Sequence, residues 1–167
     1  MANNGIEDTF LYRSTDVARY LVFLANERKI TVNMTKVQKL LYITYGVFLR
    51  VYSKRLLNEH PQAWPYGPVF PTTRNNLLKQ DFSLVPKESI EDREKIENDE
   101  KLNKVVDFVF KNFGSWNAGQ LSEWSHSKGS PWDETRKTQG FKWGNVISDK
   151  LILEYFCSII TVISDPE

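Results

Sequence analysis

The chain has 167 residues, 41% hydrophobic, 13% aromatic and 26% charged, which is the size of one domain and the usage of a folded protein rather than a disordered one. Twenty-two lysines and arginines against 21 aspartates and glutamates leave a net charge of +1, so nothing global draws the molecule to a polyanion and nucleic acid is not an expected partner. A lone Cys157 and two histidines, His60 and His126, are too few for an internal disulfide or a Cys/His zinc site; no apolar run nears the roughly 20 residues that span a bilayer, and MANNGIEDTF is no secretory signal, so a cytoplasmic protein with no metal, cofactor or membrane contact is expected.

Residues 1–13 read as an N-terminal tail and 14–163 as a single domain. Ser14 or Thr15 can cap a first helix near 15–28, where Val17, Tyr20, Leu21, Leu24 and Ala25 recur at helical spacing. Thr35 opens a second helix over 35–52. One of its faces carries Val37, Leu40, Leu41, Phe48 and Val51; another carries Tyr42, Ile43, Tyr45, Leu49 and Tyr52. A helix apolar most of the way round is a buried one, so this is the expected centre of the fold, with Gly46 marking the close approach of another element. Residues 53–71 hold four prolines and a glycine, which exclude a long helix and leave room for short strands near Arg55–Leu57 or Gln62–Trp64. A third helix is expected from Val69 to Lys79 with Pro71 in its first turn.

Residues 81–97 read as a charged loop whose start, DFSLVP, could form an edge strand. The stretch 86–101 carries four bases and seven acids, whereas residues 1–60 carry nine bases and five acids; both are read as solvated faces. A fourth helix over 99–113 buries Leu102, Val105, Val106, Val109, Phe110 and Phe113, and Gly114 stands where a left-handed C-terminal residue belongs. Ser115 or Asn117 caps a fifth helix to about Ser127, Pro131 opens one short turn, and residues 138–147 form a loop. Ser148 caps the last helix, with the stripe Ile152, Tyr155, Phe156, Ile159, Ile160 and Ile163. The expected fold is mainly α: one domain of about six helices around helix 35–52, with one or two short edge strands.

Catalytic motifs are weak. There is no GxxxxGK[ST], no GxGxxG after a strand and no G-x-S-x-G elbow. Cys157, beside Phe156 in the last helix, reads as a small packed hydrophobe. Glu123 lies three residues before His126 on one helix face, which lets a carboxylate orient an imidazole; the competing reading is a histidine that favours a helix C-terminus. The aromatics say more. Trp64, Tyr66, Phe70, Trp116, Trp124, Trp132 and Trp143 fall outside the best apolar stripes, and several adjoin Pro or Gly. Rigid aromatics on prolyl turns either plug an irregular core or anchor a partner.

Three stretches together resemble a known family. TKVQKLLYITYGVFL (35–49) resembles a motif of Thr or Ser, lysine, leucine, glutamine, lysine, two leucines and a tyrosine. AWPYGPVFP (63–71) resembles a motif in which an aromatic precedes tyrosine, glycine, proline and valine. LSEWSHSKGSPW (121–132) resembles one running from a Leu-Ser pair through a histidine to Pro-Trp. Their order and spacing are similar to those of the Panacea or SocA-like antitoxin domain, also called phage-associated GepA-like; Val37 in place of leucine and Trp124 in place of a smaller residue are modest departures. The resemblance implies an antitoxin of a toxin–antitoxin pair, not an enzyme, that binds and neutralises a cognate protein toxin. The alternatives are an adaptor delivering the toxin to a ClpXP-type protease and a hydrolase using His126 and Glu123. Within that reading Lys36, Lys39, Tyr66, Phe70 and Trp132 are expected to form or support the toxin-binding groove, and Trp64, Pro65, Gly67, Pro68, Glu123 and His126 to scaffold the motifs.

Overall fold

The computed structural model describes residues 7–140 and 144–160. The chain runs β1 (Glu7–Tyr12), α1 (Ser14–Glu27), α2 (Met34–Tyr52), β2 (Lys54–Leu57), β3 (Gln62–Trp64), β4 (Gly67–Val69) and α3 (Pro71–Leu77). After a 3₁₀ turn at Lys87–Ser89 come α4 (Arg93–Glu97), α5 (Glu100–Phe113), α6 (Ala118–Ser125), α7 (Pro131–Gln139), β5 (Asn145–Val146) and α8 (Asp149–Ile159). The described residues are mainly helical, with short strands, as the periodicity predicts. None of their helices is long and apolar enough to cross a membrane.

Helix α2 is the axis. Every residue from Lys36 to Leu49 is buried, because α1, α3, α5, α6, α8, β2 and β4 all pack against it. It begins at Met34, one residue earlier than expected, and is capped by Asn33, which accepts the Lys36 N–H at 2.9 Å. The α5 stripe is buried as read, except that Phe113 is only half covered. Around the axis lie two small sheets, a parallel β1–β2 pair and an antiparallel β4–β3–β5 sheet. In the latter, Trp64 pairs with Gly67 across the two-residue loop Pro65–Tyr66.

Several expectations are corrected. Residues 7–12 are no tail but a strand paired with β2. Ser14 does not cap α1; its hydroxyl donates to Glu59, and its own N–H is taken by Asn58 at 3.0 Å. No strand forms at DFSLVP, whose Phe82 packs on the core while Leu84 is exposed. Gly114 is right-handed, at φ −60°, and its carbonyl accepts the Lys36 ammonium at 2.7 Å. The turn at Pro131 extends to a nine-residue helix. On α8, Ile152 and Phe156 are buried, but Ile159 is exposed and Cys157 faces outward; Ile163 and Trp143 lie outside the described residues.

Candidate functional site

The candidate site is the β3–β4 turn and the helices that hold it. Pro65 fixes φ near −65° at the first loop position, so the sharp reversal falls on Gly67, at φ +116°. A side chain there is excluded twice: a Cβ would also stand 2.5 Å from Ser125 Oγ and 2.8 Å from Lys39 Cε. The turn therefore settles directly onto α2 and α6.

Main-chain atoms along the turn are held from outside. Trp132 Nε1 donates to the Trp64 carbonyl at 2.6 Å, and Ser122 Oγ to the Tyr66 carbonyl at 2.5 Å. Lys39 Nζ donates to the Pro68 carbonyl at 3.0 Å. Gln38 grips Phe70 on both sides, accepting its N–H at 2.8 Å and donating to its carbonyl at 3.2 Å. What remains outside is the loop itself: Pro65 is exposed, and Tyr66 is 77% exposed. Trp64 and Trp132 are half-buried, with the Arg74 guanidinium over the Trp64 ring and that of Arg136 over the Trp132 ring.

The predicted groove residues divide sharply. Tyr66 is at the surface and Trp132 is half-buried. Lys36, Lys39 and Phe70 are 6%, 1% and 0% exposed, so none of them lines a groove: Lys39 and Phe70 support the turn from within, whereas Lys36 holds the Gly114 carbonyl at the end of α5. Phe70 meets Tyr45 edge to face at 5.8 Å and precedes Pro71, the first residue of α3. The Lys39 ammonium donates to the Pro68 carbonyl, and burial pushes it down to about 8. Burial also lowers Lys36.

Of the two readings of His126, the helix C-terminus holds and the pairing with Glu123 is not formed. Helix α6 ends at Ser125 with His126 as its C-cap; Glu123 is exposed, and His126 Nδ1 is buried with no hydrogen-bond partner among the described residues. The imidazole instead packs on Trp132, with ring centroids 5.3 Å apart. His60 is half-buried between Arg55 and Asp149. Sequence reasoning missed Gln38, Ser122, Ser125, Arg74 and Arg136. Only the serines carried a signal, an i, i+3 pair on a predicted helix, and it is a common one.

The model of the SocA-like antitoxin Panacea domain matches residues 37–133. Antitoxin SocA of Caulobacter vibrioides (strain NA1000 / CB15N) is 30% identical over 150 residues, which cover 84% of this chain and 80% of that protein. The chain belongs to the SocA-like antitoxin family, the Panacea-domain proteins. No solved structure matches it. Within the Panacea-domain match fall Gln38, Lys39, the whole β3–β4 turn, both serines and Trp132, whereas β1, α1 and α8 lie outside it. The matched segment thus contains nearly all of the axis, the turn it carries, and helices α3 to α6.

Proposed function

We propose that the chain is the antitoxin of a toxin–antitoxin pair, that it neutralises its toxin by binding it directly, and that the Tyr66 turn is the centre of that contact. The observation that carries the surface is a large aromatic, 77% exposed, on a turn whose main chain is fixed by side chains from α2, α6 and α7. An exposed aromatic normally loses freedom when it is bound; one on a preorganised turn loses little and can act as a binding hot spot. Membership of an antitoxin family supports the role.

Co-expression with the cognate toxin tests the proposal. Tyr66→Ala should melt at the wild-type temperature yet no longer restore growth, while the wild-type chain restores growth with the toxin level unchanged. Full rescue by Tyr66→Ala would overturn the surface. Rescue that vanishes in cells lacking ClpXP, with toxin accumulating, would replace direct neutralisation by the adaptor reading.

A further inference from the structure

We infer that the outer face of α6 carries a docking groove for a proline-bearing extended segment of a protein partner, one with a lysine or arginine beside its prolines. The groove lies apart from the Tyr66 turn and does not depend on the toxin-binding reading of it.

The groove is lined by Trp116, Gln120, Glu123, Trp124 and Ser127 and has a volume of ≈ 330 Å³. Ser122 and Ser125 of the same helix meet the turn. At the helical repeat, positions 120, 123, 124 and 127 fall on the opposite face. The two indoles are fixed in advance. Phe113 touches both, with its ring centroid 5.3 Å from that of Trp116 and 5.4 Å from that of Trp124; Tyr155 and Phe156 back Trp124 at 6.1 and 6.3 Å. Both indoles are half-buried, so each shows solvent part of a held ring, which loses little freedom when a partner arrives.

The free hydrogen-bonding groups select the occupant. Trp64 Nε1 donates to Gln62 at 3.0 Å and Trp132 Nε1 to the Trp64 carbonyl. The indole N–H groups of Trp116 and Trp124 have no acceptor among the described residues, and both reach solvent. Gln120 commits its side-chain carbonyl to the Asn117 N–H at 2.9 Å, which leaves its amide NH₂ as a donor. Apolar walls with spare donors call for a chain with spare carbonyls. An α-helix bonds its carbonyls internally except in its last turn, and an added β-strand needs a sheet edge, which α6 does not offer. A polyproline II segment bonds none of its carbonyls internally, and its rings pack on aromatic walls. Glu123 sets the charge. It is exposed and has no cation partner among the described residues. Lys128, just past the groove, acts on Asp133 of α7, and Lys36 is buried on the Gly114 carbonyl. A basic residue of the partner is the complement of that carboxylate.

The test follows the indole N–H signals of the isotope-labelled full chain by NMR as two peptides are added. One is an oligoproline with a terminal arginine; the other is a helix-forming alanine–leucine peptide with the same arginine. The oligoproline should shift the Trp116 and Trp124 signals saturably and leave those of Trp64 and Trp132 in place. Trp116→Phe keeps a ring on Phe113 but removes the N–H, and should weaken binding about fivefold, the scale of one hydrogen bond. Glu123→Gln changes an exposed side chain that the fold does not use, and should weaken it about threefold. Tyr66→Ala should bind as the wild type does. No saturable shift at millimolar oligoproline, an equal or larger response to the helical peptide, or unchanged binding by either groove variant overturns the inference. So does loss of binding in Tyr66→Ala, which would move the contact to the turn.

Discussion

The ring of Phe156 lies directly on Gly46: a Cβ built on that glycine would stand 2.2 Å from Phe156 Cε2. The contact sets how closely α8 approaches α2, and it explains a glycine in the middle of the most buried helix. Gly46→Ala gains about 1 kcal/mol of helix propensity but must push an aromatic out of a full core, which costs roughly 1–3 kcal/mol or more. The expected outcome is a net loss in a denaturant titration, relieved when Phe156→Leu is added. A Gly46→Ala chain as stable as wild type would show that α8 moves away freely.

Leu41 is fully buried on the same helix. Leu41→Ala should cost about 2–5 kcal/mol, the range for truncating a buried leucine where the surroundings only partly close the cavity. A change under about 0.5 kcal/mol, the size of an ordinary surface effect, would mean that α2 is not the axis.

Lys39 predicts an unusual pH dependence. Burial brings its ammonium from 10.5 down to about 8 in the folded protein. From pH 8 upward the unfolded chain therefore holds a proton that the folded one has released, and this group's effect on stability improves as pH rises towards 10.5. Relative to Lys39→Met, the wild-type chain should gain about 2 kcal/mol between pH 8 and 10. Tyr42 and Tyr45, which burial holds above the ordinary phenol range, act in the opposite sense above pH 10, but equally in both proteins. A flat difference curve from paired chemical denaturations would show that Lys39 keeps an ordinary pKa.

Two neighbours in one motif should behave in opposite ways. Tyr66→Ala removes an exposed ring and should change stability by no more than about 0.5 kcal/mol. Phe70→Ala removes a ring with no exposure and should cost about 3–5 kcal/mol. Thermal melts of both, set beside growth rescue with the toxin, separate loss of binding from loss of fold. Lys39→Glu is unsuitable as a surface probe, since it would bury a carboxylate against the Pro68 carbonyl.

The helices were legible where apolar residues recur at helical spacing with few competing signals. The stripe from Leu102 to Phe110 and the near-continuous apolar surface of α2 are the clearest cases. Strand β1 was not legible, because EDTFLY gains its meaning from pairing with residues more than forty positions away. The three motif stretches did converge on one turn, with Lys39 in the supporting role that was one of the two expected of it, but the burial of the lysines was not legible. A lysine in a sequence reads as exposed, and nothing local reveals that Lys36 and Lys39 each end on a backbone carbonyl inside the protein. Arg74 and Arg136 escaped notice for the related reason that their indole partners lie elsewhere in the chain or one turn away.

Three polar side chains of α2, namely Lys36, Gln38 and Lys39, all hold main-chain atoms of other segments: Gly114, Phe70 and Pro68. A grip on main-chain atoms is blind to side-chain identity. Exposed positions of the turn can be exchanged one at a time without loosening it, provided the backbone keeps its path. On the proposed toxin contact, partner choice and foldability would thus be written on different atoms, and the first could drift through evolution while the second stays where it is.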